Sequence, residues 1–306
     1  MFDLSPEAPN LAAPRPREPF ASADPPLSKG VHPEDSRPIH ADSTHGAEPS
    51  TISGPSRLRL IRADVLKLRR RRGMISLCVA LTLGVVALVF AVTGIQHATN
   101  PGHYGPAGGV KSFQGAMLVL TMLTLVVGAI VGATAGAQDL ESGVFRDLAA
   151  TGRSRLALFG ARIPGAWAIV LPIAALASGA ALVGTFALAG GLPTPDAATI
   201  TAGIAGVLAA GALSSMVSVG LAALIGSKAP VIATVLAFVL AISPLLSGIG
   251  FLGDARMAIP TNALARIGEQ PDQTVQMGLA TAIAVLLAWA AAAFAAGAWK
   301  TRTREI

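Results

Sequence analysis

Apolar positions along most of this chain neither alternate nor recur as stripes; they come in long unbroken runs. Six runs lie at about 74–95, 114–138, 163–190, 197–226, 229–250 and 276–298. About 20 apolar residues in a helix match the ~30 Å hydrocarbon core of a bilayer. A helix also satisfies its own backbone polar groups there. Each run is therefore predicted to be a transmembrane helix, giving an all-α polytopic fold. The third and fourth exceed the minimum length, which calls for tilt or a bend, and Pro172 is the expected kink in the third. Residues 56–72 have a different pattern. Leu58, Ile61, Val65 and Leu68 share one helical face, and Arg57, Arg59, Arg62, Asp64 and Lys67 occupy much of the rest. This is an amphipathic helix with basic flanks, expected to lie flat in the headgroup region.

No apolar periodicity precedes that helix. Residues 1–53 hold ten of the 21 prolines, with many Ser, Ala and Glu. Such a composition buries no core, so residues 1–55 are expected to form a disordered cytoplasmic tail. Its two PxxP strings and its irregularly spaced His32, His40 and His45 give no ligand or metal pattern. The domain plan is this tail, the amphipathic helix over 56–72, a six-span domain over 73–300 and a cytoplasmic end at 301–306.

Composition sharpens the class. Charged residues make up 13% of the chain and hydrophobic ones 52%, whereas soluble domains carry about 25% charged residues. Mean hydropathy is +0.61. The 23 basic and 17 acidic residues all lie outside the six runs. Soluble-enzyme, wholly disordered and disulfide-scaffold classes fall away. Cys78 is the single cysteine; it allows no intramolecular disulfide and reads as a small buried hydrophobe.

The net charge of +6 divides unevenly, since residues 1–56 contain eight acids and four bases and the remainder is basic. Those bases flank apolar runs, so they report membrane orientation, and no nucleic-acid partner is expected. Alternate flanks and loops carry sixteen bases on one side and three on the other. Positive-inside logic then puts both termini in the cytoplasm, with 96–113, 191–196 and 251–275 outside. Arg69–Arg72 and the first run are too long, and too many spans follow, for a cleaved export signal. No run contains an ionisable residue other than Cys78, which argues against a proton-coupled carrier or a voltage sensor.

The densest internal charge lies in Gln138–Arg162, QDLESGVFRDLAATGRSRLALFGAR. Acids come early and bases late, as suits a short helix dipole. Gly152 is placed to end that helix and Ser154 to cap the next. In the second run, Gln114, Met117, Thr121, Thr124, Gly128 and Ala135 fall on one face. Gly128, Gly132 and Gly136 make a small-xxx-small series. That face reads as pathway lining or as close packing within the six-helix unit. Ser214, Ser215 and Ser218 in the fourth run carry the same two readings. In the last external loop Pro260 should interrupt any helix, and Thr261 or Asn262 is placed to cap a short one over 263–268.

Catalytic patterns are lacking. The sequence has no Gly-Lys pair for a phosphate loop, no HExxH, no Cys/His metal spacing and no GxSxG;. LSGIG at Leu246–Gly250 ends an apolar run without companion motifs. The chain is expected to be no enzyme and to hold no metal or cofactor.

Glu141, Gly143, Leu148, Ser154 and Arg155 occur in an order that resembles the first internal loop of type-2 ATP-binding-cassette exporter permeases. The basic amphipathic helix looks like the family's elbow helix, and the six spans, internal termini and broad last external loop are similar too. The resemblance covers about 56–300. It implies that Glu141, Gly143, Phe145, Arg146 and Leu148 form a coupling element seated on a separate ATPase subunit, which binds ATP and Mg. It also implies a second permease subunit, identical or different, and residence in a bacterial-type inner membrane as a multi-pass protein. Gln114, Thr121, Thr124 and Gly128 are the candidate pathway or packing face. Other readings remain at this stage. They are a membrane scaffold or sensor anchor, an ATP-independent channel or carrier, and a membrane-embedded enzyme.

Overall fold

A computed structural model of the chain describes residues 57–141, 154–270 and 275–303. Each apolar run becomes a helix, and no strand occurs among the described residues. Helix α1 is Arg57–Arg69. The spans are α2 (Arg72–Thr99), α3 (Val110–Glu141, apolar over Val110–Asp139), α4 (Arg155–Ala187), α5 (Ala197–Ile225) and α6 (Lys228–Gly248). A 3-10 segment at Gly250–Ala258 leads into α7 (Pro260–Ile267), and α8 (Leu279–Thr303) is the sixth span. All six are long and apolar enough to cross a membrane, so the chain reads as a multi-pass membrane protein. Residues 1–56, with the expected tail, lie outside the described residues.

Helices α3 and α5 form the centre, and α4 packs on both. Close approach comes from glycine. A Cβ on Gly128 would stand 2.9 Å from the Ser214 Cβ, one on Gly136 would stand 2.5 Å from the Ala222 Cβ, and one on Gly132 would fall on the Ser215 carbonyl. Without a hydrophobic drive between helices in lipid, such backbone contact supplies the dispersion and packing that hold spans together. Toward the end away from the arginines, Phe113, Met117 and Leu120 of α3 fill the space against Ala174, Ala177 and Ala181 of α4 and Val207 of α5. Helix α8 packs along α5, α6 along α3, and α1 against α4. Leu68 of α1 is buried with Val127, Val131 and Val170.

Helix α4 carries Pro164 and Pro172 in its interior. π-Helical turns interrupt α2 at Ala80–Gly84 and α6 at Phe238–Ile242. The Thr82 hydroxyl bonds back to the Cys78 carbonyl at 3.0 Å within the first of these, and Cys78 itself is buried.

Two corrections concern helix ends. Spans α3 and α4 extend into the charged segment between them, so Gln138–Glu141 and Arg155–Arg162 are helical parts of the spans. The short crosswise helix expected there falls on residues 142–153, outside the described residues. In the last long connection, the helix begins at Pro260 itself, with Ile259 rather than Thr261 or Asn262 at the N-cap. Proline suits the first turn because its missing N–H would have no helical partner anyway. Thr261 instead pairs with the Ser243 hydroxyl, and Asn262 accepts from Ser247 Oγ at 3.1 Å and donates to the Arg256 carbonyl at 2.9 Å. Helix α7 folds back onto the bundle, with Pro260, Ala263 and Leu264 buried. Gly268 fits against Gly206 of α5, where an added Cβ would stand 2.8 Å from its Cα.

Candidate functional site

Charge gathers at the arginine-rich end of the bundle, where α1, α3, α4 and α6 meet. Arg162 is in the second turn of α4 and is 4% exposed. Its guanidinium donates to the Gly136 carbonyl at 2.8 Å and to Asp139 Oδ2 at 3.4 Å. The forked, planar donor set of arginine allows one buried group to reach a carbonyl and a carboxylate together. Lys67 of α1 approaches the other side of Asp139 at 3.3 Å and Asp64 at 3.8 Å. Asp64 lies over Gly165 of α4, where a Cβ would stand 3.1 Å from its own Cβ. Burial lifts the Asp64 carboxyl above its ordinary 3.8, and the Lys67 ammonium opposes that rise. The four side chains thus tie α1 to the facing ends of α3 and α4.

The helices run past the apolar stretches and so carry ionisable groups at their ends, and among these Arg162 is buried. Its position beyond the apolar run suggested a loop. The helix instead begins at Arg155, and Arg162 meets a carboxylate and a carbonyl inside the bundle. A long amphipathic side chain can place its stem against apolar neighbours while its head stays polar.

Glu141 makes the second connection. Helix α5 ends with Gly226 in the left-handed conformation (φ 82°), and its N–H bonds to the Ala222 carbonyl at 2.9 Å. Only glycine adopts that φ without a Cβ penalty, and it turns the chain directly into α6. The first N–H groups of α6 have no partners within their own helix. Ser227, at its N-cap, supplies no side-chain cap. Glu141 supplies it from α3. Its Oε1 accepts from the Lys228 backbone N–H at 2.8 Å and from the Ser227 hydroxyl at 3.3 Å, and Oε2 faces the Lys228 ammonium at 3.4 Å. The Lys228 N–H bond, with the nearby ammonium, draws the Glu141 carboxyl below its ordinary 4.5. Negative charge is also favourable at a helix N-terminus.

Residues 142–153 leave from Glu141 and return at Ser154, which occupies the N-cap of α4 without a side-chain cap bond. The expected coupling residues Gly143, Phe145, Arg146 and Leu148 lie outside the described residues; Glu141 alone of that set is described. The segment is therefore bounded by the Glu141 cap on α6 and by the Asp139–Arg162 pair, itself joined to α1.

The other sequence candidates map onto the interior. Gly128, Gly132 and Gly136 face α5. Thr121 is buried and bonds to the Met117 carbonyl at 2.7 Å. The Thr124 hydroxyl is buried without a hydrogen-bond partner among the described residues, as are those of Ser178 and Ser218. Gln114 is half-buried nearer the other end. Ser214 reaches across to the Leu125 carbonyl at 2.6 Å, whereas Ser215 bonds within its own helix to Gly211 at 2.7 Å. Sequence reasoning missed Asp64, Lys67, Asp139 and Arg162 as a group. The 3–4 spacing of Asp64 and Lys67 and the pairing of late α3 acids with early α4 bases were the available signals. No protein-family model matches the chain, and no curated protein matches it.

Proposed function

We propose that the chain is the transmembrane permease subunit of an ATP-driven exporter of the type-2 cassette class. In this reading the arginine-rich end faces the cytoplasm, α1 is the elbow helix, and residues 142–153 seat on a separate ATPase that binds ATP and Mg. Two permease units, identical or different, pair with two such ATPases in a bacterial-type inner membrane. The observation that carries the reading is the anchoring of both ends of that segment to neighbouring helices.

The anchoring suits transmission of force. A push on residues 142–153 reaches α6 through the Glu141 cap and α4 through the Asp139–Arg162 pair. Lys67 extends the same connection to α1. Four elements then move as one body, which is the rigid-body type of switching. A solvated loop held only by positive-inside topology needs none of these contacts.

ATP hydrolysis tests the division of labour. The purified chain alone is expected to hydrolyse no ATP, and its complex with the partner to hydrolyse it. Arg146→Glu is expected to uncouple or dissociate the pair. Intrinsic hydrolysis by the isolated chain would end the proposal.

A further inference from the structure

An apolar cavity of about 290 Å³ lies between α6 and α8, on a floor made by α5. Helices α6 and α8 each pack on α5 and stand apart over this stretch. The floor is buried at Leu213, Ser214 and Gly220. The rims are not, because Thr234 on α6 and Ala292 on α8 are exposed. The space therefore opens sideways, toward the surroundings of the spans. Alanine leaves it unfilled on one side, since Ala292, Ala293 and Ala296 form the α8 wall beyond Trp289.

Its polar lining is already bonded. Ser214 donates to the Leu125 carbonyl at 2.6 Å and Thr234 to the Pro230 carbonyl at 2.8 Å, while Thr261 pairs with Ser243. Water needs two to four polar partners in a cavity, and a purely apolar cavity of about 150 Å³ stays dry and takes hydrocarbon instead. This cavity is larger and equally apolar, so neither water nor a charged ligand suits it.

Length narrows the occupant further. The floor runs from Leu213 to Leu224, eleven residue steps or about 16 Å of helix. That is about half of a ~30 Å hydrocarbon core, the depth of one leaflet. One end lies beside the α5–α6 turn at the arginine-rich face. Toward mid-span the cavity is lined by Phe238 and Trp289, whose rings are 5.6 Å apart, and by Pro260 and Leu264 of α7. The Trp289 indole is fixed there by donating to the Ala258 carbonyl at 2.9 Å.

We infer that this groove binds one acyl chain of a phospholipid from the leaflet at the arginine-rich end, with its terminal methyl beneath Phe238 and Trp289. The inference uses only the groove and the spans, and stands apart from the exporter reading.

The test uses the full chain in cell membranes whose phospholipids carry an acyl chain with a terminal diazirine. After irradiation the protein is purified and its lipid adducts are mapped by peptide mass spectrometry. Adducts are expected to concentrate on Phe238, Trp289 and their groove neighbours, above the level on the outward residue Leu88, which is 61% exposed. Thr234→Phe and Ala296→Phe fill the groove from its rims. Each is expected to reduce groove adducts to the Leu88 level while leaving adducts at Leu88 unchanged. Equal labelling of groove and Leu88 in the wild-type chain would overturn the inference without recourse to variants. Groove labelling that persists in a folded filling variant would also overturn it, as would a groove shielded from lipid by a second copy of the chain.

Discussion

Arg162 offers the sharpest test of how the charged end is held together. Replacing it with Met keeps most of the aliphatic stem and removes its polar contacts, those to the Gly136 carbonyl and Asp139 among them. The bond to the Gly136 carbonyl is charge-assisted and short, at 2.8 Å, and such bonds contribute about 1.5–3 kcal/mol. Asp139, with a side chain 14% exposed, then loses its buried partner. Breaking a buried pair costs about 3–5 kcal/mol when the remaining charge is uncompensated. Here Lys67 stays at 3.3 Å from Asp139 and softens that penalty. Together these place Arg162→Met near 3 kcal/mol, at the low end of the buried-pair range. Arg162→Lys keeps the charge but reaches one acceptor at a time, and is expected to lose about half as much. Reversible unfolding in graded detergent mixtures measures all three proteins. Adding Asp139→Asn closes a double-mutant cycle, whose coupling is expected at about 1–2 kcal/mol. A cost for Arg162→Met within about 0.5 kcal/mol of zero, the range of an ordinary surface change, would refute the reasoning. So would a coupling near zero.

Three further outcomes are expected from the same geometry. Gly132→Ala should separate α3 from α5 and destabilise by about 1–3 kcal/mol. Gly115→Ala on the same helix meets nothing within 4 Å and should stabilise by roughly 0.5–1 kcal/mol; equal effects in the detergent unfolding series would contradict the close-packed α3–α5 contact. Glu141 has a folded-state pKa below 4.5, so its contribution is full above its unfolded value and fades as pH falls through the lowered one. Glu141→Gln should remove that part of the acid dependence, and an unchanged stability-versus-pH curve below 4.5 would show that the α6 cap is absent in solution. Thr124→Val removes a buried hydroxyl that has no partner among the described residues and should stabilise by about 1 kcal/mol; destabilisation would mean that the hydroxyl is bonded in the folded protein.

The spans were legible because bilayer-length apolar runs admit few alternatives, and each of the six became a helix. Their ends were not. Charge at 139–162 read as a loop, yet Asp139 and Arg162 are both helical and meet across the α3–α4 gap. Hydropathy has no signal for such a meeting. The glycine series at 128, 132 and 136 marked a close-packed face, but only the fold shows that α5, with Ser214, Ser215 and Ala222, fills it. Glu141 was singled out by motif order, whereas its partner lies more than eighty residues away at Lys228. The Pro260 turn was visible, but its role as a first helical residue depended on the space for α7 against α5. The π turns in α2 and α6 had no sequence mark at all.

The proposed docking of residues 142–153 on a separate ATPase has a direct test. The direct measurement is purification of the tagged full chain from its native membranes in mild detergent, with mass-spectrometric identification and stoichiometry of what accompanies it. The expected result is a cassette ATPase carrying a phosphate loop, present in a one-to-one ratio and lost from Arg146→Glu while the folded chain is retained. A chain that purifies without such an ATPase, or that keeps it undiminished in Arg146→Glu and Glu141→Arg, would contradict the account.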